Sequence, residues 1–227
     1  METQEAANDT KPVTASRGAD AACITRFRPG CKQLVFIYQG GAGRLQMPPN
    51  LFLWLSGARR RNMAMFRSRG LTYYHGAIAP DWPDIETTIE KQREIRDQCS
   101  DAKQLYCVGT SMGGYAAMLF GHYLQADLVH AFGPQTLVDL GKTKLEPGEI
   151  PEAHRDLSTL LSNWNGHTRY KVYYNEGFER DRLAAERLAA CPGMELFPMP
   201  GDTHNVFKDN GRYAMLKNLF PPLKGGE

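Results

Sequence analysis

Along residues 33–220, short apolar runs of β character alternate with longer stretches whose apolar positions recur at helical spacing. The β-like runs are Gln33 to Tyr38, Met63 to Phe66, Leu105 to Val108, Asp127 to Phe132, Tyr170 to Tyr174 and Met194 to Phe197. A further run, Ala22 to Phe27, precedes the turn-type sequence Arg28-Pro29-Gly30-Cys31. Between them, Pro49 to Gly57, the residues after Gly113, Pro151 to Trp164, Asp181 to Ala190 and Asn205 to Phe220 read as helices. In Asp84 to Cys99, residues Ile85, Ile89, Gln92, Arg96 and Cys99 share one side, with Ile95 beside them. That spacing predicts an amphipathic surface helix, and Asp81 or Asp84 supplies an acidic first turn. Strands alternating with helices predict an α/β fold, a mostly parallel central sheet with helices on both faces. Residues 1–20 are polar and poor in large apolar side chains, so they are expected to form a flexible tail. Residues 21–227 are then one domain, with a short insertion at 135–166 that is small for a lid and predicts a fairly open site.

Three local signals succeed one another in Gln104 to Tyr123, QLYCVGTSMGGYAAMLFGHY: a β-type run, a glycine-bounded turn and a helical run. The turn Gly109-Thr110-Ser111-Met112-Gly113 is a G-x-S-x-G. Between strand and helix this pattern holds the serine in a tight, strained turn that lifts its hydroxyl above the sheet edge. Glycines at 109 and 113 let strand and helix pass closely, and Gly114 extends the clearance. The motif predicts an activated serine, Ser111. The plainer reading is a strand-to-helix turn that binds a phosphate or nothing. A P-loop is disfavoured, because no Lys-Ser/Thr pair follows the glycines.

Composition narrows the classes. A chain of 227 residues, 42% hydrophobic and 23% charged, suits one sizeable core. A net charge of +2 gives no reason to expect nucleic acid as a partner. The five cysteines (Cys23, Cys31, Cys99, Cys107, Cys191) are odd in number and form no C-x-x-C pair, which fits reduced thiols rather than zinc or disulfide chemistry. No cluster has metal-ligand spacing, and neither metal nor organic cofactor is expected. The opening METQEAANDTKPVTASRGADAA lacks an apolar core, and no run approaches the ~18 apolar residues of a membrane span. The expectation is a cytoplasmic protein with no membrane span.

The strand, the GTSMGG turn and the helix after it resemble the nucleophile elbow of the α/β-hydrolase family. The resemblance runs from about Gln33 to the end and is strongest in the elbow and in the segment PGDTHNVF. It implies the chain order serine, acid, histidine, with Ser111 as nucleophile and His204, in a glycine-containing loop before the last helix, as base. The acid has four candidates. Asp139 follows the strand Asp127 to Phe132, but Gly133-Pro134 turns the chain first. Glu176 follows the family's usual strand directly, and Glu179 is intermediate. Asp181 resembles the arrangement by which many hydrolases pass from the acid into the next helix, and is favoured; its plainer role is an N-cap. The backbone N–H of Met112 is the first implied oxyanion donor, and Gly41 or Gly40 in the loop Gln39-Gly40-Gly41-Ala42-Gly43 the second.

Among the remaining histidines, His75 is a candidate to line the pocket. His122 and His130 fit packed or surface roles, and His154 and His167 surface positions. Where many family members carry D-x-x-G after the fourth strand, this chain has Arg67-Ser68-Arg69-Gly70. A parallel strand ending at Phe66 puts Arg67 and Arg69 on the ligand edge of the sheet and Arg59 to Arg61 at the other end. Arg67 or Arg69 is therefore a candidate for an anionic or sugar-like part of the substrate, the alternative being a solvated arginine. The resemblance implies a serine hydrolase acting on a small-molecule ester or acyl substrate. An acyltransferase on the same triad, or a catalytically silent binding module, are the rivals.

Overall fold

The computed structural model describes residues 22–76, 78–208 and 213–223. The tail expected at 1–20 lies outside the described residues. The strands are β1 (Cys23–Arg26), β2 (Gln33–Tyr38), β3 (Asn62–Phe66), β4 (Gln104–Thr110), β5 (Leu128–Phe132), β6 (Arg169–Asn175) and β7 (Met194–Met199). The helices are α1 (Pro49–Leu55), α2 (Ile85–Gln98), α3 (Met112–Tyr123), α4 (Glu152–Arg155), α5 (Leu157–Ser162), α6 (Glu179–Glu186) and α7 (Tyr213–Lys217). One seven-stranded sheet has the order β1-β3-β2-β4-β5-β6-β7. β1 runs antiparallel to β3, and the other neighbouring pairs are parallel.

The apolar β runs are continuous because both faces of the sheet are covered. In β2, Leu34, Phe36 and Tyr38 join a core layer with Ile89, Tyr115, Leu119 and Leu157, from α2, α3 and α5. Val35 and Ile37 point the other way, into a layer with Phe52, Leu216 and Phe220. β4 divides in the same manner, Leu105 and Cys107 to the first layer, Tyr106 and Val108 to the second. α3 is buried from Met112 to Gly121, which explains its lack of a polar face. α2 buries Ile85, Thr88, Ile89, Gln92 and Ile95, and Asp84 caps it by accepting the Thr87 N–H at 2.8 Å.

Two helical expectations change. Pro151 to Trp164 breaks into α4 and α5 at Asp156, whose extended backbone and carboxylate cap α5 through the Ser158 N–H at 2.9 Å. Asn205 does not start a helix: its side-chain oxygen accepts the Phe207 N–H at 2.8 Å, closing a turn. The last helix begins at Tyr213, and residues 209–212 lie outside the described set. The parallel strands β2 to β6 bring their carboxyl ends to one edge, and the candidate chemistry gathers there.

Candidate active site

Ser111 joins β4 to α3 with φ 56° and ψ −123°, a backbone conformation unusual for a residue with a side chain. Its N–H donates to the Phe132 carbonyl at 2.9 Å, and its own carbonyl accepts the N–H groups of Gly114 and Tyr115. The glycines around it leave little room for a side chain. A Cβ at Gly113 would stand 2.1 Å from the Tyr38 carbonyl oxygen, and one at Gly114 would stand 3.0 Å from Pro134. Met112 is the first residue of α3, so its N–H has no acceptor within the helix.

Asp181 is the third residue of α6 and does not cap it; Phe178 holds the N-cap position. The carboxylate is buried, and its Oδ2 lies 2.7 Å from His204 Nδ1. With Nδ1 engaged, Nε2 is the imidazole nitrogen left to exchange protons. Glu176 and Glu179 are exposed, and Asp139 pairs at the surface with Lys142 at 2.7 Å. Of the four acid candidates, Asp181 alone contacts His204 among the described residues.

Three residues that sequence reasoning did not single out hold this pair. Gln46 donates to the His204 carbonyl at 2.8 Å and accepts the Val206 N–H at 2.9 Å. Asn175, buried at the end of β6, donates to the carbonyls of Thr203 and Asn205 at 2.7 and 3.2 Å. Gly133 has φ +49°, and a Cβ there would be 2.9 Å from Asp181 Oδ2 and 3.3 Å from the His204 carbonyl oxygen. Phe132 therefore receives the Ser111 N–H while its neighbour Gly133 underlies the Asp181–His204 pair. The only signal in the sequence was Gly133-Pro134 directly after an apolar strand; nothing marked Gln46.

The glycine loop after β2 packs on the elbow. A Cβ at Gly40 would lie 2.8 Å from the Thr110 carbonyl oxygen. Gly40, expected with Gly41 as an oxyanion donor, gives its N–H to the Arg44 carbonyl at 2.7 Å. Gly41 opens a single turn of 3₁₀ helix, Gly41–Gly43, so its N–H has no acceptor within that turn. Arg67 is exposed on the same edge, its guanidinium close enough that a Cβ at Gly43 would meet Nε at 2.8 Å. Arg69 is exposed beyond it.

His75 lies in the protein interior rather than on an open surface. Its Nε2 is 2.7 Å from the Tyr115 hydroxyl. That hydroxyl donates to the His154 carbonyl at 2.6 Å, so His75 must donate through Nε2. Burial, and then the neighbouring His154, push its pKa down to about 3, and the ring stays neutral. His154 is itself buried rather than at the surface, with Nε2 2.7 Å from the Tyr123 hydroxyl. His130 packs between Tyr173 and Phe220, and His167 is exposed beside Asp127.

A cavity of about 540 Å³ opens beside the site, with walls from Tyr73, Pro134, Leu137, Leu140, Arg180 and Leu183. Asp181 and the segment Pro134-Gln135 also line it; Ser111 and His204 do not. The Gln135 N–H reaches the Ser111 carbonyl at 3.3 Å, so cavity and elbow adjoin. Among the described residues, no helix is long and apolar enough to cross a membrane, and no group of three or more potential ligand side chains could hold a metal ion.

No protein-family model matches the chain, and no curated protein matches its sequence. Solved structures do match it. Est1E from Butyrivibrio proteoclasticus aligns with a TM-score of 0.58 at 13% identity, over 87% of this chain and 90% of that one. The capsule O-acetyltransferase of Neisseria meningitidis serogroup A gives 0.59 at 15% identity, over 87% and 92%. An alpha-beta serine hydrolase homologue from Coxiella burnetii gives 0.52 at 13% identity, over 87% and 88%. At these identities the likeness is one of architecture, and it agrees with the strand order and the elbow: the chain has the α/β-hydrolase fold.

Proposed function

We propose that the protein is a serine hydrolase that cleaves an ester or related acyl bond through an acyl-Ser111 intermediate. The observation that carries this reading is the 2.7 Å bond between Asp181 and His204 on the sheet edge to which the elbow delivers Ser111. Asp181 fixes the ring and favours the imidazolium that forms when Nε2 takes the Ser111 proton. Oγ then attacks the acyl carbonyl carbon. The tetrahedral oxyanion is met by the N–H groups of Met112 and Gly41, both at the first position of a helical turn. The imidazolium returns the proton to the departing alcohol, and a water activated by the same nitrogen releases the acid.

A second reading shares the acyl-enzyme. The fold likeness to a capsule O-acetyltransferase supports transfer to an alcohol in place of water. One experiment tests both. Stopped-flow turnover of p-nitrophenyl butyrate should show a burst that scales with enzyme and is absent in Ser111→Ala. Analysis of products with added glycerol then separates free acid from new ester. A wild-type protein with no burst and no turnover of any acyl chain length contradicts the proposal.

A further inference from the structure

The cavity beside Asp181 combines two features that point to a substrate class. Its walls carry large apolar side chains open to solvent, Leu137 at 48%, Leu140 at 39% and Leu183 at 49% exposure. Such a grouping at a concave site suits an apolar ligand. A volume of about 540 Å³ exceeds what a two-carbon acyl group fills and suits a chain of several carbons.

The second feature is the state of its charges. Lys142 is bonded to Asp139 at 2.7 Å and Asp181 to His204, while Arg187 and Arg180 each stand 3.6 Å from a carboxylate, those of Asp156 and Asp181. The Arg180 guanidinium also lies over the Phe178 ring at 5.2 Å, and its Nε is 3.6 Å from Asp181 Oδ1, beyond hydrogen-bond distance. Among the described residues, no acceptor is hydrogen-bonded to its N–H groups. The ring and the ion pair with Asp181 thus hold a planar cation at the cavity, its N–H groups outside any hydrogen bond among the described residues. A guanidinium presented in this way selects a planar, two-oxygen anion. Arg67, one of the two arginines expected from the sequence, lies against the glycine loop, and neither it nor Arg69 lines this cavity.

We infer that Arg180 determines specificity for an ester that carries a carboxylate at the end of an apolar portion several carbons long. The inference rests on the acyl-Ser111 reading. The test is the ratio of kcat/KM for matched charged and neutral esters. One pair places the carboxylate on the acyl side (p-nitrophenyl hydrogen adipate against p-nitrophenyl hexanoate), the other on the alcohol side (4-carboxyphenyl hexanoate against phenyl hexanoate). In at least one pair, Arg180→Gln should lower the charged-to-neutral ratio about tenfold, mainly through KM, the size expected for one charged hydrogen bond. Arg180→Lys should retain part of the preference, and Arg180→Glu should invert it. The neutral ester absorbs any effect that Arg180 exerts through Asp181. Calorimetric titration of Ser111→Ala with monoethyl adipate and ethyl hexanoate, with and without Arg180→Gln, gives a binding ratio that needs no turnover. Absence of wild-type turnover would sink the acyl-enzyme reading; ratios unchanged by Arg180→Gln in both ester pairs and in the titration would sink this one.

Discussion

A Cβ on Gly109 would stand 1.9 Å from the carbonyl oxygen of Gly113, so the strand entering the elbow and the helix leaving it pass without room for one carbon. The obstacle is backbone, which cannot rotate aside. Gly109→Ala and Gly113→Ala should therefore be insoluble, or lose more than ~3 kcal/mol, about 10 °C in Tm for a chain of this size. Gly41→Ala is the control. Its Cβ would meet only the Leu71 side chain, at 3.4 Å, and its Tm should stay within about 3 °C of wild type.

The strain at Ser111 has its own signature. With φ 56° and ψ −123°, the residue occupies a region that glycine enters easily and alanine does not. Ser111→Gly should be more stable than Ser111→Ala by ~1 kcal/mol in thermal denaturation, the strain relieved less the entropy that glycine loses. The reverse order would contradict a strained elbow.

Asp181→Asn should fold and lose about two to four orders of magnitude in kcat, because the amide no longer fixes the ring as an acceptor or balances the imidazolium. Glu176→Gln should turn over like wild type. Gly133→Ala should lower kcat more than it raises KM, since its Cβ would come 2.9 Å from Asp181 Oδ2 and displace the acid from His204. Near-normal kcat in Asp181→Asn would remove Asp181 from the triad.

Buried neutral histidines set the response to acid. Burial, chiefly, lowers His75 and His130 to about 3 in the folded state, against an ordinary value near 6.5. Below about pH 6.5 the unfolded chain binds protons that the folded chain refuses, so stability falls as pH drops from about 6.5 toward 3. Each such histidine contributes about 1.4 kcal/mol per pH unit to that slope. Urea denaturation at pH 7 and pH 5.5 should show the loss. His130→Phe, which keeps the aromatic packing on Tyr173 and Phe220, should make it smaller.

Much of the architecture was legible because both faces of a covered sheet select apolar side chains, which turned β2, β4 and β5 into readable runs. The elbow was legible because its glycines are imposed by backbone contact. What escaped depends on partners distant in sequence. Gln46 meets His204 across 158 positions, and His75 meets Tyr115 across 40, so neither role leaves a local pattern. Gly40 and Gly41 look alike in sequence, yet the chain returns the Arg44 carbonyl to the N–H of Gly40. Asp156 reads as an ordinary polar residue inside a helical stretch, yet its capping of Ser158 ends one helix and begins another.

Covalent labelling reads the activation of Ser111 as a nucleophile. Wild-type protein treated with a fluorophosphonate should gain the mass of one adduct, located by peptide mapping on Ser111. Ser111→Ala should gain none, and His204→Ala should be labelled far more slowly. No adduct under conditions that label a known serine esterase, or an adduct on a different residue, would rule out Ser111 as the nucleophile.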